Sequence, residues 1–214
     1  MALDLVIVGA GGHGREVLGI ADAINRAAAD VRWRVVGFVD DRPGEADLKR
    51  IQRLDVAYLG PIGALADQPE DTHVVLGIGA PAVRREIDGR IRGYGLPAAS
   101  LVHPCADVGR DCEFHEGLVV AAGARVTTNV RLGRHVHVNM NATVAHDCVL
   151  GDFVSVNPLA AVSGNCRLGS GVMIGTNAAV VQGLTIGSGS TVGAGACVVR
   201  DVPEAVVVKG VPAR

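Results

Sequence analysis

Residues 118–150 read LVVAAGARVTTNVRLGRHVHVNMNATVAHDCVL, and within them every sixth residue is aliphatic: Val120, Val126, Leu132, Val138, Val144 and Leu150. The register runs on in both directions without a miss. It begins at Val102, Val108 and Phe114 and continues through Val156, Val162, Leu168, Ile174, Val180, Ile186 and Val192 to Val198. A second row, four residues after each of the first, is small or apolar; Ala106, Cys112, Ala124, Ala142, Cys148, Ala160, Cys166, Ala178, Ser190 and Ala196 belong to it. Neither row fits the 3.6-residue period of a helix. Within one hexad the small residue and the aliphatic residue are two apart, the spacing that puts side chains on one face of a strand. Each hexad is therefore a short strand plus a turn, and two inward rows six residues apart predict a parallel β-helix of hexapeptide repeats. Three hexads close one coil, and coils stack at roughly 4.8 Å, the spacing between paired strands. So narrow an interior excludes large rings, in keeping with an aromatic content of 3% beside 29 Gly. Cys112, Cys148 and Cys166 fall in the small row and are expected to act as small core hydrophobes.

The hexads occupy residues 99–214 and leave residues 1–98 for a separate unit. There, the apolar run Leu5 to Val8 leads into Gly9, Ala10, Gly11, Gly12, His13 and Gly14, followed by helical spacing from Arg15 to Asn25. Further strands are predicted at Val35 to Val39, Ala57 to Leu59 and Val74 to Ile78, with a helix from Pro81 to about Arg92. Strands alternating with helices predict an α/β unit with a parallel sheet. The glycines match G-x-G-x-x-G, and Asp40 ends the next strand. Such a loop lets a phosphate approach the backbone at a helix N-terminus, while the acidic residue accepts from a ribose hydroxyl or a base edge. Only one mononucleotide-binding half is present, so one nucleotide diphosphate fits better than a dinucleotide.

A net charge of −2 and a pI near 6.4 offer no basic face for nucleic acid or anionic lipid. No secretory signal opens the chain and no long uninterrupted apolar run is present, which predicts a cytoplasmic protein without a membrane partner. The five cysteines show no metal-like pairing. His135 and His137 lie two apart with nothing to complete a site of three or four ligands, so no metal is expected.

Three stretches, Val6 to Val17 (VIVGAGGHGREV), Val144 to Phe153 (VAHDCVLGDF) and Val208 to Arg214 (VKGVPAR), together with the hexads, resemble the bacterial nucleotide-sugar N-acetyltransferases of the sialic acid O-acyltransferase family. The resemblance implies a Rossmann-like α/β half domain followed by a β-helix of left-handed sense. It implies transfer of an acetyl group from acetyl-CoA to the amino group of a nucleotide-linked deoxysugar, either GDP-perosamine or a UDP-linked 4-amino-4,6-dideoxy sugar. Carried over by position, the general base is His146, its acidic partner Asp147, and the backbone donor to the thioester oxygen Gly164. Imidazole titrates near neutral pH and can take the proton that an attacking amine must lose. The nucleotide sugar would meet Gly9, Gly11, Gly12, His13, Gly14 and Asp40, with Asn141 toward the sugar. Acetyl-CoA would meet Gly164, Asn165, Ala194 and Lys209. The resemblance also implies a homotrimer whose active sites lie between subunits.

Counting along the hexads adds geometry. His146 lies two places after the inward Val144, at a turn, and Gly164 lies eighteen residues later, one coil on along the same edge. Three other readings stay open at this point. They are O-acetylation of sialic acid or another sugar, a nicotinamide-dependent oxidoreductase using the glycine loop, and a noncatalytic scaffold. A zinc carbonic anhydrase built on such a helix would need two histidines five apart on one strand, and Asn141 stands where the second would be.

Overall fold

The computed structural model describes residues 2–214, which form two compact units. One runs through Gly79 and resumes from Val83 to His103; the other holds residues 80–82 and Pro104 to Arg214.

The first unit is built on a four-stranded parallel sheet. Strands β1 (Leu3–Val8), β2 (Trp33–Val39), β3 (Tyr58–Gly60) and β4 (His73–Leu76) lie in the order β3-β2-β1-β4. The chain therefore steps outward from β1 through β2 to β3, then crosses back to the other side of β1. That reversal makes a crevice at the carboxyl ends of β1 and β4, the place where open α/β sheets bind ligands. Helices α1 (Gly12–Ala27), α2 (Glu45–Arg53) and α3 (Pro81–Ile91) complete the unit. Helix α1 buries Val17, Leu18, Ile20 and Ala21, while Val6, Val8, Val39, Leu65, Val74, Leu76, Ile87 and Ile91 share one core cluster.

In the second unit, two-residue strands end at every position of the aliphatic row from Asp107–Val108 to Cys197–Val198, and the row's first strand, Leu101–Val102, closes the first unit's residues. The strands pair in parallel eighteen residues apart, as in Thr143↔Ala161 and Val144↔Val162, and form three sheets. At every turn from Asp111 to Gly195 one residue adopts a positive φ, and these residues also repeat every eighteen. Asp111, Asn129, Asp147, Asn165 and Gly183 line one edge; Gly123, Asn141, Leu159, Asn177 and Gly195 line another. Asn, Asp and Gly supply most of these positions because they tolerate the left-handed region best.

The structure corrects the sequence reading in three places and adds to it in one. Phe114, assigned to the inward row, is 49% exposed, because its strand is the last of its sheet and no coil lies beneath it. Cys112, in the same incomplete layer, is only partly covered, whereas Cys148 and Cys166 are fully buried. His135 and His137 are buried although both avoid the inward rows; His135 stacks on Phe153 with ring centroids 5.6 Å apart. Finally, past Val198 the prism does not keep to strict sixes. Val202 pairs with Ile186 and Val208 with Val192, each after sixteen residues rather than eighteen, so a count of strict sixes stops too early. The shortened corner is closed by side chains. Asp201 accepts from the Thr185 N–H at 2.8 Å, and the buried Ser190 hydroxyl donates to the Pro203 carbonyl at 2.6 Å and accepts from the Val206 N–H at 3.1 Å. Ser190 is thus a satisfied polar group inside the apolar row, which avoids the penalty for burying a hydroxyl.

The cysteines yield a direct test of this packing. Burial pushes the Cys148 thiol up to about 11, and its Sγ lies 3.2 Å from the Ser163 carbonyl. Because the thiolate is the nucleophile, iodoacetamide at pH 8 should label the exposed Cys105 first and leave Cys148 and Cys166 unlabelled until the protein unfolds. Peptide mass mapping reads the order. Labelling of Cys148 as fast as Cys105 would mean that the coil around it is not closed.

Candidate functional site

Two places collect the expected site residues, one in each unit. In the first, an open cavity of about 640 Å³ sits at the crevice between β1 and β4. Gly9, Gly11, Gly12, His13, Asp40, Asp41, Arg42, Gly79 and Arg90 are in its wall. Gly9 has φ +108, which turns the chain from β1 toward α1. Helix α1 begins at Gly12 with Gly11 as its cap, no side chain caps it, and no acidic residue stands in its first turn. Its leading N–H groups and the positive end of its dipole therefore face the crevice without an acidic side chain from the helix's own first turn.

Asp40 does more for the protein than expected. One carboxylate oxygen accepts the Ala10 N–H at 2.9 Å and the other the Arg42 N–H at 2.9 Å, so Asp40 ties the glycine loop to the end of β2. Each oxygen keeps a second lone pair for a ligand hydroxyl. Gly14 lies outside the cavity wall. It is buried, and a Cβ there would stand 1.9 Å from the Gly9 carbonyl oxygen, so it serves close packing of α1. Sequence reasoning missed the groups that brace the crevice. Asp41 accepts the Ile62 N–H at 3.0 Å and pairs with Arg90 at 2.7 Å; the Ile62 amide first, then Arg90, holds its carboxyl below the usual range. Arg84 is wholly buried and donates to the carbonyls of Ile78 and Gly79 at 2.7 and 3.1 Å, fixing the loop after β4. Burial draws its pKa down to about 9, which leaves it cationic at neutral pH. The adjacency of Asp41 to Asp40 was a usable signal; Arg84 reads in sequence as any charged helical position.

The second place is the prism edge that carries His146. The strand Thr143–Val144 leads into the turn and Val149–Leu150 leads out of it, so His146 projects at the corner with its side chain half exposed. Its Nδ1 lies 2.6 Å from one oxygen of Asp147, and the other oxygen accepts from Asn129 Nδ2 at 2.7 Å. The hydrogen bond from His146 first, then that from Asn129, keeps the Asp147 carboxyl below its ordinary range. With Nδ1 donating to a carboxylate, Nε2 is left as the acceptor, the tautomer a general base requires. The next coil stacks directly on this corner. Asn165 N–H donates to the His146 carbonyl at 2.8 Å, and a Cβ on Gly164 would stand 2.6 Å from Nε2. The imidazole edge and the Gly164 backbone are thus in contact.

Asn141, Ala194 and Lys209 are not brought to this corner. Asn141 precedes the strand Thr143–Val144 and belongs with Gly195 to a different edge. Lys209 follows the strand Val207–Val208, and its Cβ lies 3.0 Å from where a Cβ on Gly193 would be, beside Ala194. The chain end turns back there: Lys209 and Arg214 exchange N–H···O bonds of 3.0 and 3.2 Å, and Ala213 N–H reaches the Cys197 carbonyl at 2.7 Å. Among the described residues no group of three or more His, Cys, Asp or Glu side chains is placed to hold a metal, and no helix is long and apolar enough to cross a membrane.

Known proteins are similar to this chain. The PglD N-terminal domain family matches residues 4–91. GDP-perosamine N-acetyltransferase of Escherichia coli O157:H7 is 29% identical over 142 residues, 66% of this chain; the chain spans 62% of the length of that curated relative. The acetyltransferase domain of PglB from Neisseria gonorrhoeae FA1090, solved in complex with acetyl coenzyme A, is 33% identical with a TM-score of 0.87, covering 100% of this chain and 99% of that one. PerB from Caulobacter crescentus, solved with CoA and GDP-perosamine, is 31% identical with a TM-score of 0.88, covering 99% and 96%. Likeness over the whole length shows the fold as an α/β unit followed by a left-handed β-helix, the hand that the sequence resemblance implied.

Proposed function

The chain belongs to the nucleotide-sugar N-acetyltransferases, and from that premise we propose that it moves the acetyl group of acetyl-CoA onto the amine of a nucleotide-linked amino-deoxy sugar. GDP-perosamine and UDP-linked 4-amino-4,6-dideoxy sugars are the substrates to try first, since PerB was solved with GDP-perosamine. The nucleotide diphosphate rests on Gly11, Gly12 and His13 at the start of α1, with Arg42 and Arg90 as further cations in the same wall. Asp40 meets the ribose or base while holding the loop.

At the prism corner, the amine attacks the thioester carbonyl and forms a C–N bond as the carbonyl π pair moves onto oxygen. His146 Nε2 takes the ammonium proton, Asp147 faces the resulting imidazolium, and the Gly164 N–H donates to the oxyanion. Collapse breaks the C–S bond, and the departing CoA thiolate is protonated by the imidazolium. The observation that carries this reading is the stack of three groups: Asp147 on Nδ1, the ring, and Gly164 against Nε2.

Asn141, Ala194 and Lys209 lie on another edge, so a groove that uses them as well as His146 calls for that edge of a second copy of the chain beside the His146 corner of the first. A homotrimer with sites between subunits meets that need. Thiol release from acetyl-CoA should rise sharply with GDP-perosamine or a UDP-amino sugar and not with the corresponding 4-hydroxy sugar. Light scattering on the same preparation should give three times 22.0 kDa. Equal release with and without any amino sugar rules out the transferase reading, and a monomeric mass with full activity rules out the shared groove.

A further inference from the structure

The eighteen-residue step that sets Gly164 on one side of His146 sets Asn129 on the other side of Asp147. Asn129 Nδ2 lies 2.7 Å from Asp147 Oδ1, while Asp147 Oδ2 faces His146 Nδ1 at 2.6 Å. The amide orientation is dictated by its partner, because an ionised carboxylate only accepts, so the donor nitrogen must point at it. Asn129 is itself held: it has φ +52 in the turn, and the Asp147 N–H donates to the Thr128 carbonyl at 3.1 Å, which locks the two layers together.

An exposed Asp next to a His has freedom to swing away into water. Its carboxylate has two rotatable bonds, and with side-chain exposures of 50% for His146 and 47% for Asp147 about half of each group faces solvent. A second hydrogen bond from a neighbouring coil removes that freedom.

We infer that Asn129 is a positioning residue for the reaction: by clamping one oxygen of Asp147 it keeps the other on His146 Nδ1 and so holds the imidazole in the tautomer with Nε2 free. This rests on His146 acting as the base. Asn129 touches neither substrate nor the reacting atoms; it works through Asp147, as partners that orient a histidine-bound carboxylate do in other sites.

Two substitutions separate this role from a merely structural one. Glycine tolerates the left-handed turn at least as well as Asn, so Asn129→Gly keeps the backbone and deletes the amide. Asn129→Asp keeps the shape and replaces the donor by an acceptor. Both variants should lose about tenfold in kcat, with KM for acetyl-CoA and for the nucleotide sugar within about twofold of the parent. The imidazole ¹⁵N spectrum of His146 should report Nδ1–H in the parent and a tautomer mixture in both variants. His146→Ala is run beside them. If it abolishes turnover while Asn129→Gly and Asn129→Asp keep the parental kcat and tautomer, the inference fails and the base assignment stands. If His146→Ala itself stays active, the base assignment fails, and the inference with it.

Discussion

Replacing His146 with alanine lowers kcat by about 10²- to 10⁴-fold, the usual contribution of a general base. The effect falls on kcat because the ring contacts the amine proton only as the C–N bond forms, so little ground-state binding is lost. KM for acetyl-CoA should stay within about threefold. Stability is a separate matter, and here exposure decides it. The His146 side chain is half exposed at a corner, makes its hydrogen bond to its own neighbour Asp147, and lies outside both inward rows. Substitutions at such positions usually change stability by less than about 0.5 kcal/mol. A melting temperature close to the parent's, with turnover gone, is therefore the expected pair of results. Stopped thiol release with the preferred amino sugar measures the first and calorimetry the second. A rate within a few-fold of the parent would show that the amine loses its proton to water or to another group, and His146 would then be a surface residue beside a turn.

How much of this was legible in the chain depends on how few ways the prism can be filled. An interior as narrow as this accepts one small and one aliphatic side chain per hexad, so Val102 to Val198 each had one possible place, and strands end at all of them. The errors occur where that constraint lapses. Phe114 sits where the stack begins and has no coil to fill. Val202 and Val208 sit where a turn loses two residues and Asp201 and Ser190 close the gap with hydrogen bonds. Burial on the outer faces is not a matter of period at all, and so His135 and His137 could not be read from the rows. In the α/β unit, β1, α1 and β2 announce themselves through apolar periodicity and glycines. Helix α2 escaped because its sequence EADLKRIQR is polar and buries Ile51 alone. The His146 corner was legible because coil length is a ruler, and counting forward reached Gly164. Counting back from Asp147 reaches Asn129 by the same rule. What no count could supply is which oxygen faces which donor, or that both oxygens of Asp40 already hold backbone N–H groups.

The same substitution, glycine to alanine, should produce opposite phenotypes at Gly14 and Gly164, because the atoms that meet the new methyl differ in their freedom to move. At Gly14 the Cβ would stand 1.9 Å from the Gly9 carbonyl oxygen and 3.4 Å from the Phe38 ring, and Gly77 crowds from the far side, with its own added Cβ 2.5 Å from the Gly14 Cα. Backbone surrounds the site, so α1 must lift off the sheet to admit one carbon. Overpacking of this kind costs about 3 kcal/mol. For a unit of about 100 residues that is a fall of roughly 10 °C or more in its melting transition. The crevice proposed to hold the nucleotide sugar deforms with α1, and KM for the sugar should rise while the prism keeps its own melting behaviour. At Gly164 the methyl would stand 2.5 and 2.6 Å from Cε1 and Nε2 of His146. Those atoms belong to a half-exposed ring that can rotate outward, and Gly164 has no positive φ to strain an alanine. Gly164→Ala should therefore melt with the parent but lose about 10²-fold or more in kcat, as expected for a misplaced base. The alanine retains its backbone N–H, so the loss would report the displaced ring rather than a missing oxyanion donor. Full activity in Gly164→Ala would place the working position of the imidazole away from Gly164, and an unchanged melting transition in Gly14→Ala would mean that α1 packs on the sheet more loosely than the 1.9 Å approach requires.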